Sequence, residues 1–125
     1  MTEPNLLELA RNYGDEIVAL ARRLIQTPSY SGQEGALARI VEEALRAAGC
    51  DEVWVDEAGN VLARIAGRGG SSTMLHAHMD IVDPGDETAW RYPPFAAQVA
   101  DGAIWGRGAS DDKGCLTAQI AAMTL

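Results

Sequence analysis

Apolar residues recur along this chain with two different periods, and the switch between them at Gly49 limits the folds open to it. From Leu6 to Ile25, the residues Leu6, Leu9, Tyr13, Ile17, Leu20 and Leu24 return every three or four positions and draw one face of a helix. Gln26-Thr27-Pro28-Ser29 ends it, because a residue before proline is pushed out of the helical region. Ser31-Gly32-Gln33-Glu34 has the form of a capping box, in which the Ser and Glu side chains each take one orphan amide. It opens a second helix with the stripe Leu37, Ile40, Val41, Ala44, Leu45 and Ala48, stopped by Gly49. Beyond it Val53 and Val55 alternate with polar neighbours, Ala58-Gly59-Asn60 turns, and Val61, Ala63 and Ile65 alternate again. This predicts a strand pair.

Further along, the elements shorten. Gly67-Arg68-Gly69-Gly70-Ser71-Ser72 reads as a loop, followed by a short apolar strand over Thr73–Ala77. Val82 to Gly102 reads as a long irregular stretch containing Pro84, Pro93 and Pro94, and a loop of that length in a compact domain is more often functional than idle. Ala103-Ile104-Trp105 is a further short strand, and Lys113 to Leu125 is helical in composition with no C-cap glycine. Helices, strands and a last helix predict an α/β layer whose remaining elements are missing, an incomplete domain. There is no internal repeat.

The 125 residues can bury a real core, and 47% hydrophobic with 22% charged residues suits a globular chain. A formal charge of −8 argues against nucleic acid, whose phosphates need clustered Lys and Arg. The charge reads first as solubility, with the alternative that some carboxylates gather around a cation. Met1-Thr2-Glu3-Pro4 lacks a basic leader, and no apolar run approaches the roughly 18 residues of a membrane span. Cys50 and Cys115 form neither a disulfide framework nor a C-x-x-C pair and read as buried small hydrophobes. A cytoplasmic location is the expectation, with no membrane partner.

Two constellations carry chemistry. In Leu75-His76-Ala77-His78-Met79-Asp80, residues two apart on an extended segment share a face, so His78 can bind an ion while Asp80 orients or polarises its ring. A His76/His78 chelate is also open, and so is an ordinary strand end with a hydrogen-bonded His. In Trp105-Gly106-Arg107-Gly108-Ala109-Ser110-Asp111-Asp112-Lys113-Gly114, glycines allow a tight turn that delivers two carboxylates to the start of a helix. A carboxylate there can bridge two divalent cations, or it can simply cap the helix. Asp111 stands where a dinucleotide fingerprint needs its third glycine, and Asp112 where a phosphate loop or nucleophile elbow needs one.

These two runs, with Trp90 and Pro94-Phe95 between them, resemble one family of co-catalytic zinc metallopeptidases and deacylases. Its members include acetylornithine deacetylase, succinyl-diaminopimelate desuccinylase, aminoacylase and glutamate carboxypeptidase. Ile25-Gln26-Thr27-Pro28-Ser29 with Ser31-Gly32-Gln33-Glu34 resembles the family's opening, and Ala58-Gly59-Asn60-Val61 its first hairpin, so the likeness covers nearly the whole chain. The linker before Trp90 most resembles the branch of hydrolases linked to selenium metabolism.

The resemblance implies the N-terminal part of a three-layer α/β/α catalytic domain. It implies that His78 is the imidazole ligand of one zinc, that Asp80 is the catalytic-site carboxylate fixing its ring, and that Asp111 bridges two ions across a peptide to Asp112 that is often cis. Asp112 and Lys113 lie in the motif without a metal role, and His76 falls on no ligand position. The cofactor implied is a pair of divalent ions, zinc first, with cobalt or manganese as options. The activity implied is hydrolysis of an amide bond in a small N-acyl amino acid or short peptide by a two-zinc-activated water. The family's general-base Glu, later ligands and dimerisation domain all lie downstream. The 11 residues after Gly114 contain no Glu, Asp or His, so this chain alone is expected to be inactive, with homodimerisation an option for the full-length protein. Two rivals stand beside this reading: a non-catalytic interaction module using Trp90, Tyr92 and Phe95, and a single-metal protein using His76, His78 and Asp80.

Overall fold

The computed structural model describes residues 5–125. Its N-terminal half follows the two periodicities. The first stripe forms two helices rather than one, α1 (Leu6–Asn12) and α2 (Gly14–Ile25), broken at Tyr13 where φ is −94° and ψ 11°. Asn12 and Gly14 flank that break, and both are poor helix formers. The second stripe forms α3 (Gly35–Ala47), burying Leu37, Ala38, Val41 and Leu45. Gly49 closes it in a left-handed conformation at φ +82°, its amide and that of Cys50 donating to the Arg46 and Leu45 carbonyls.

The capping box expected at Ser31 does not form. Glu34 Oε1 accepts from the Gly32 amide at 3.0 Å, but the Ser31 hydroxyl is drawn 49 residues away to Asp80. A charged acceptor is a stronger partner for a hydroxyl than an orphan amide.

The expected strand pair is present as β1 (Glu52–Val55) and β2 (Val61–Arg64), antiparallel with Val53 opposite Ala63 and Val55 opposite Val61. Its turn is built by one carboxylate. Asp56 Oδ1 accepts from the amides of Ala58 and Asn60, and Oδ2 accepts from the Asn60 side chain at 2.8 Å. The stretch expected to be irregular up to Gly102 holds a single 3₁₀ turn at Glu87–Ala89 and a strand, β3 (Gln98–Ala100). β3 pairs with β4 (Ala103–Trp105) through Asp101 and Gly102, both at positive φ as a two-residue hairpin turn requires. The last helix, α4, runs from Gly114 to Ala122.

The core joins these pieces. Leu24 of α2, Leu37, Val41 and Leu45 of α3, Val53 of β1, and Leu116 and Ile120 of α4 form one buried cluster. The mixed α/β character is therefore as expected, whereas a three-layer sandwich is not formed by the described residues. The strands make two separate two-stranded sheets instead of one. The strand expected at Thr73–Ala77 forms no ladder, and Met74 and Leu75 are exposed. A strand exists only through hydrogen bonds to a neighbour, and the one bridge near this segment joins Tyr30 to Ile81 in parallel. No helix of the described residues is long and apolar enough to cross a membrane.

Three hydrogen bonds to the Asp56 carboxylate make the β1–β2 turn acid-sensitive. Its donors, the Asn60 side chain foremost, hold the Asp56 carboxyl below its ordinary value of 3.8. A depressed carboxyl contributes stability that is present above the unfolded pKa and lost as pH falls through the folded one. Melting temperature followed from pH 5 to pH 2.5 is thus expected to fall less steeply in Asp56→Asn, which keeps the turn acceptor without the charge. Parallel curves for the two proteins would remove Asp56 as the source.

Candidate metal centre

The two chemical motifs meet beside the Tyr30–Ile81 bridge, where His78 contacts Asp111, 33 residues away in sequence. One reason is a doubly stitched pair of segments. The Ile81 amide donates to the Ser29 carbonyl at 2.9 Å, and the buried Ser29 hydroxyl donates to the Met79 carbonyl at 2.7 Å. The other is the glycine turn after β4. A Cβ on Gly106 would overlap Ile25 Cγ2 and press on the Pro94 carbonyl, so only glycine lets the turn lie against α2. Gly108 has φ +78°, and a Cβ there would stand 2.5 Å from Ile81 Cγ2. The turn continues through Ala109–Lys113, with Asp111 and Asp112 outside helical dihedrals and a cis peptide between them, and α4 begins at Gly114.

Lys113 locks that turn. Its ammonium is fully buried and donates to the carbonyls of Leu24 at 2.8 Å and Thr27 at 2.7 Å, at the C-terminal end of α2. Cations are favoured at that end of a helix. Burial nevertheless lowers the Lys113 pKa to about 8.

His78 sits between two carboxylates. Its Nε2 lies 2.8 Å from Asp111 Oδ1, and its Nδ1 lies 3.0 Å from Asp80 Oδ1 and 3.2 Å from the Asp80 carbonyl. Flanked in this way, the ring is stabilised with protons on both nitrogens. Its pKa is raised, first by the hydrogen bond to Asp111. Asp80 is held below the usual carboxylate range, first by the Ser31 hydroxyl at 2.6 Å. Asp111 is 88% exposed, so one oxygen meets His78 while the other remains open.

The positions expected to matter, His78, Asp80 and Asp111, are therefore brought together, at the rim of a concavity of about 180 Å³ that Gly106, Gly108 and Ser110 help to line. His76 is not part of it. Its side chain is exposed, and its carbonyl accepts from Gln119 of α4 at 2.7 Å. The single-metal alternative of His76, His78 and Asp80 is not assembled, because no three His, Cys, Asp or Glu side chains among the described residues converge as metal donors. An imidazole nitrogen and a carboxylate oxygen converging at 2.8 Å fit as two donors for a borderline divalent cation, with the Asp80 carboxylate behind the ring.

Three contacts escaped sequence reading. Asp112 accepts from the His78 backbone amide at 3.1 Å, fixing the two motifs to each other. Cys115, expected to be buried, is exposed; its thiol bonds Asp112, which raises the Cys115 pKa and lowers that of Asp112. Ser31 reaches Asp80 from the opposite segment. None leaves a signal in the sequence, since each joins residues chosen by the fold. The loop aromatics hold their own domain rather than a free surface. Trp90 Nε1 donates to the Pro84 carbonyl and carries the Arg107 guanidinium 4.9 Å from its ring, while Tyr92 packs on Trp105.

The family model described as "Peptidase family M20/M25/M40" matches residues 74–125, the span that holds both motifs. Over that span the chain is similar to this peptidase family. Succinyl-diaminopimelate desuccinylase from Cereibacter sphaeroides is 40% identical over 108 residues, 84% of this chain and 28% of that enzyme. The enzymes of the same name from Maricaulis maris and Halorhodospira halophila are each 38% identical, over 83% of this chain and 27% and 28% of their own lengths. The chain thus spans less than a third of the curated relatives it matches.

Two substitutions test how the centre is held. Gly108→Ala forces a left-handed alanine against Ile81 and is expected to cost about 1–3 kcal/mol in urea unfolding; a cost under a few tenths would show that the turn relaxes freely. Lys113→Met keeps the stem but strips Thr27 of its donor, an expected loss of about 1–3 kcal/mol by the same measurement. An unchanged midpoint would show that the buried ammonium does not hold the turn.

Proposed function

We propose that the chain is the N-terminal portion of the catalytic domain of a metal-dependent amide hydrolase acting on a small N-acyl amino acid or short peptide. The observation that carries this reading is the convergence of His78 Nε2 and Asp111 Oδ1 at 2.8 Å beside a small concavity, with Asp80 on the far nitrogen of the same ring. The names of the relatives point the same way and suggest an N-succinylated diamino acid as the first substrate to try.

In this reading His78 would hold one divalent ion, and Asp111, exposed and with an oxygen to spare, would help to hold a second. Zinc suits imidazole with carboxylate, and cobalt or manganese are the other candidates. A pair of such ions supplies Lewis acidity and an acidified water at neutral pH. The chain's own residues orient the donors. Asp80 keeps a proton on His78 Nδ1 so that the Nε2 lone pair faces outward, and Asp112 anchors the His78 backbone. The 180 Å³ concavity bounds the space beside them. The base that moves the water's proton and the remaining donors come from beyond these residues. Two donors do not close a tetrahedral site, so the 125-residue chain alone is expected to be inactive.

The test uses the complete protein. Amine release from N-succinyl and N-acetyl amino acids is expected to stop with a chelator and return with zinc, and metal analysis is expected to find two ions per chain. Asp111→Ala should lower the rate more than the ~10–100-fold typical of residues that only support a ligand. Full activity in Asp111→Ala would sink the bridging role, and no amide hydrolysis with any acyl amino acid or dipeptide would sink the reading.

A further inference from the structure

We infer that Ser31 is a positioning residue for the metal-facing nitrogen of His78, acting through the Asp80 carboxylate. As far as it concerns a metal, this inference rests on the function proposed above. The contacts form a continuous line: Ser31 Oγ donates to Asp80 Oδ2 at 2.6 Å, Asp80 Oδ1 lies 3.0 Å from His78 Nδ1, which also meets the Asp80 carbonyl at 3.2 Å, and His78 Nε2 faces outward toward Asp111. A carboxylate held at one oxygen alone swings about its terminal torsion, which is broad and roughly two-fold. Ser31 takes the second oxygen, so the plane of the carboxylate is fixed at both ends. A fixed Asp80 then dictates which nitrogen of His78 carries the proton and where the ring points.

The placement of Ser31 is enforced rather than incidental. The Ser29 carbonyl accepts from the Ile81 amide, the Ser29 hydroxyl donates to the Met79 carbonyl, and Tyr30 bridges Ile81 in parallel. These contacts register residues 29–31 against 80–82 and bring the Ser31 hydroxyl within reach of the Asp80 side chain, one residue out of register. The two serines also divide the labour in a way that can be separated. Ser29 is fully buried and bonds only backbone, whereas Ser31 is exposed and bonds the carboxylate. Loss of the Ser31 hydroxyl therefore removes little packing, and what changes should be confined to Asp80 and His78.

The experiment compares Ser31→Ala, Ser31→Thr and Ser29→Ala in the complete protein, with and without Asp80→Asn. In metal-free protein, above the titration of His78, imidazole ¹⁵N shifts report which nitrogen bears the proton. Ser31→Ala is expected to shift the neutral ring away from the Nδ1-protonated form and toward the Nε2-protonated form that Asp111 favours, to weaken zinc affinity by about 10-fold in competition with a fluorescent chelator, and to leave the melting temperature unchanged. Ser31→Thr, which restores a hydroxyl, should return both readouts to wild type. Ser29→Ala should lower the melting temperature instead. In the Asp80→Asn background Ser31→Ala should add nothing, since residues acting in series are not additive. Wild-type ¹⁵N shifts and zinc affinity in Ser31→Ala would overturn the inference, and so would an undiminished effect in the Asp80→Asn background. If wild-type protein takes up no divalent ion, the hydrolase reading fails, and the tautomer comparison still decides whether Ser31 orders His78.

Discussion

The buried ammonium of Lys113 is the constraint on which this arrangement turns. A lysine is rarely taken wholly out of water, because the charged form loses its hydration. Here that loss is offset by two backbone carbonyls at the end of α2, those of Leu24 and Thr27. The cation and the helix end satisfy each other. Lys113 also follows directly on Asp111 and Asp112, so the same pairing sets where the glycine turn must lie. The core formed by α2, α3 and α4 thereby becomes the platform on which His78, Asp80 and Asp111 meet.

Around that platform the electrostatics run in one direction. His78 lies between Asp80 and Asp111, its backbone amide is taken by Asp112, and Asp112 also takes the Cys115 thiol. In a chain of net charge −8 this gathers three carboxylates around one histidine, two at its ring and one at its backbone amide. Carboxylates so placed repel one another unless a positive charge sits among them. A proton on the ring lessens that repulsion, and the hydrogen bond to Asp111 raises the His78 pKa accordingly.

Legibility followed the range of the interactions. The helices over Leu6–Asn12, Gly14–Ile25 and Gly35–Ala47 and the hairpin Val53–Ala63 depend on neighbours a few residues away, and their periodicity was plain. His78 and Asp80 could be paired because a two-residue spacing places both near one point on any extended segment. The strand at Thr73–Ala77 was misread because β propensity marks a segment that can pair, not one that has a partner. Ser31 was misread for a related reason. Its local pattern offers a helix cap, and the competing acceptor, Asp80, is 49 residues away.

The sequence alone determined the alternation of helix and hairpin, the glycine turn that only residues without a Cβ can make, and the donor types able to take a metal. These are properties of spacing and of side-chain chemistry, which survive in an unfolded chain. Only the tertiary structure decided that His78 and Asp111 meet, that Asp112 holds the His78 backbone, and that Ser31 serves Asp80 instead of a helix. Such contacts close loops of 33 to 49 residues. No local preference encodes which ends will meet across such loops; the buried core and the Lys113 anchor select them.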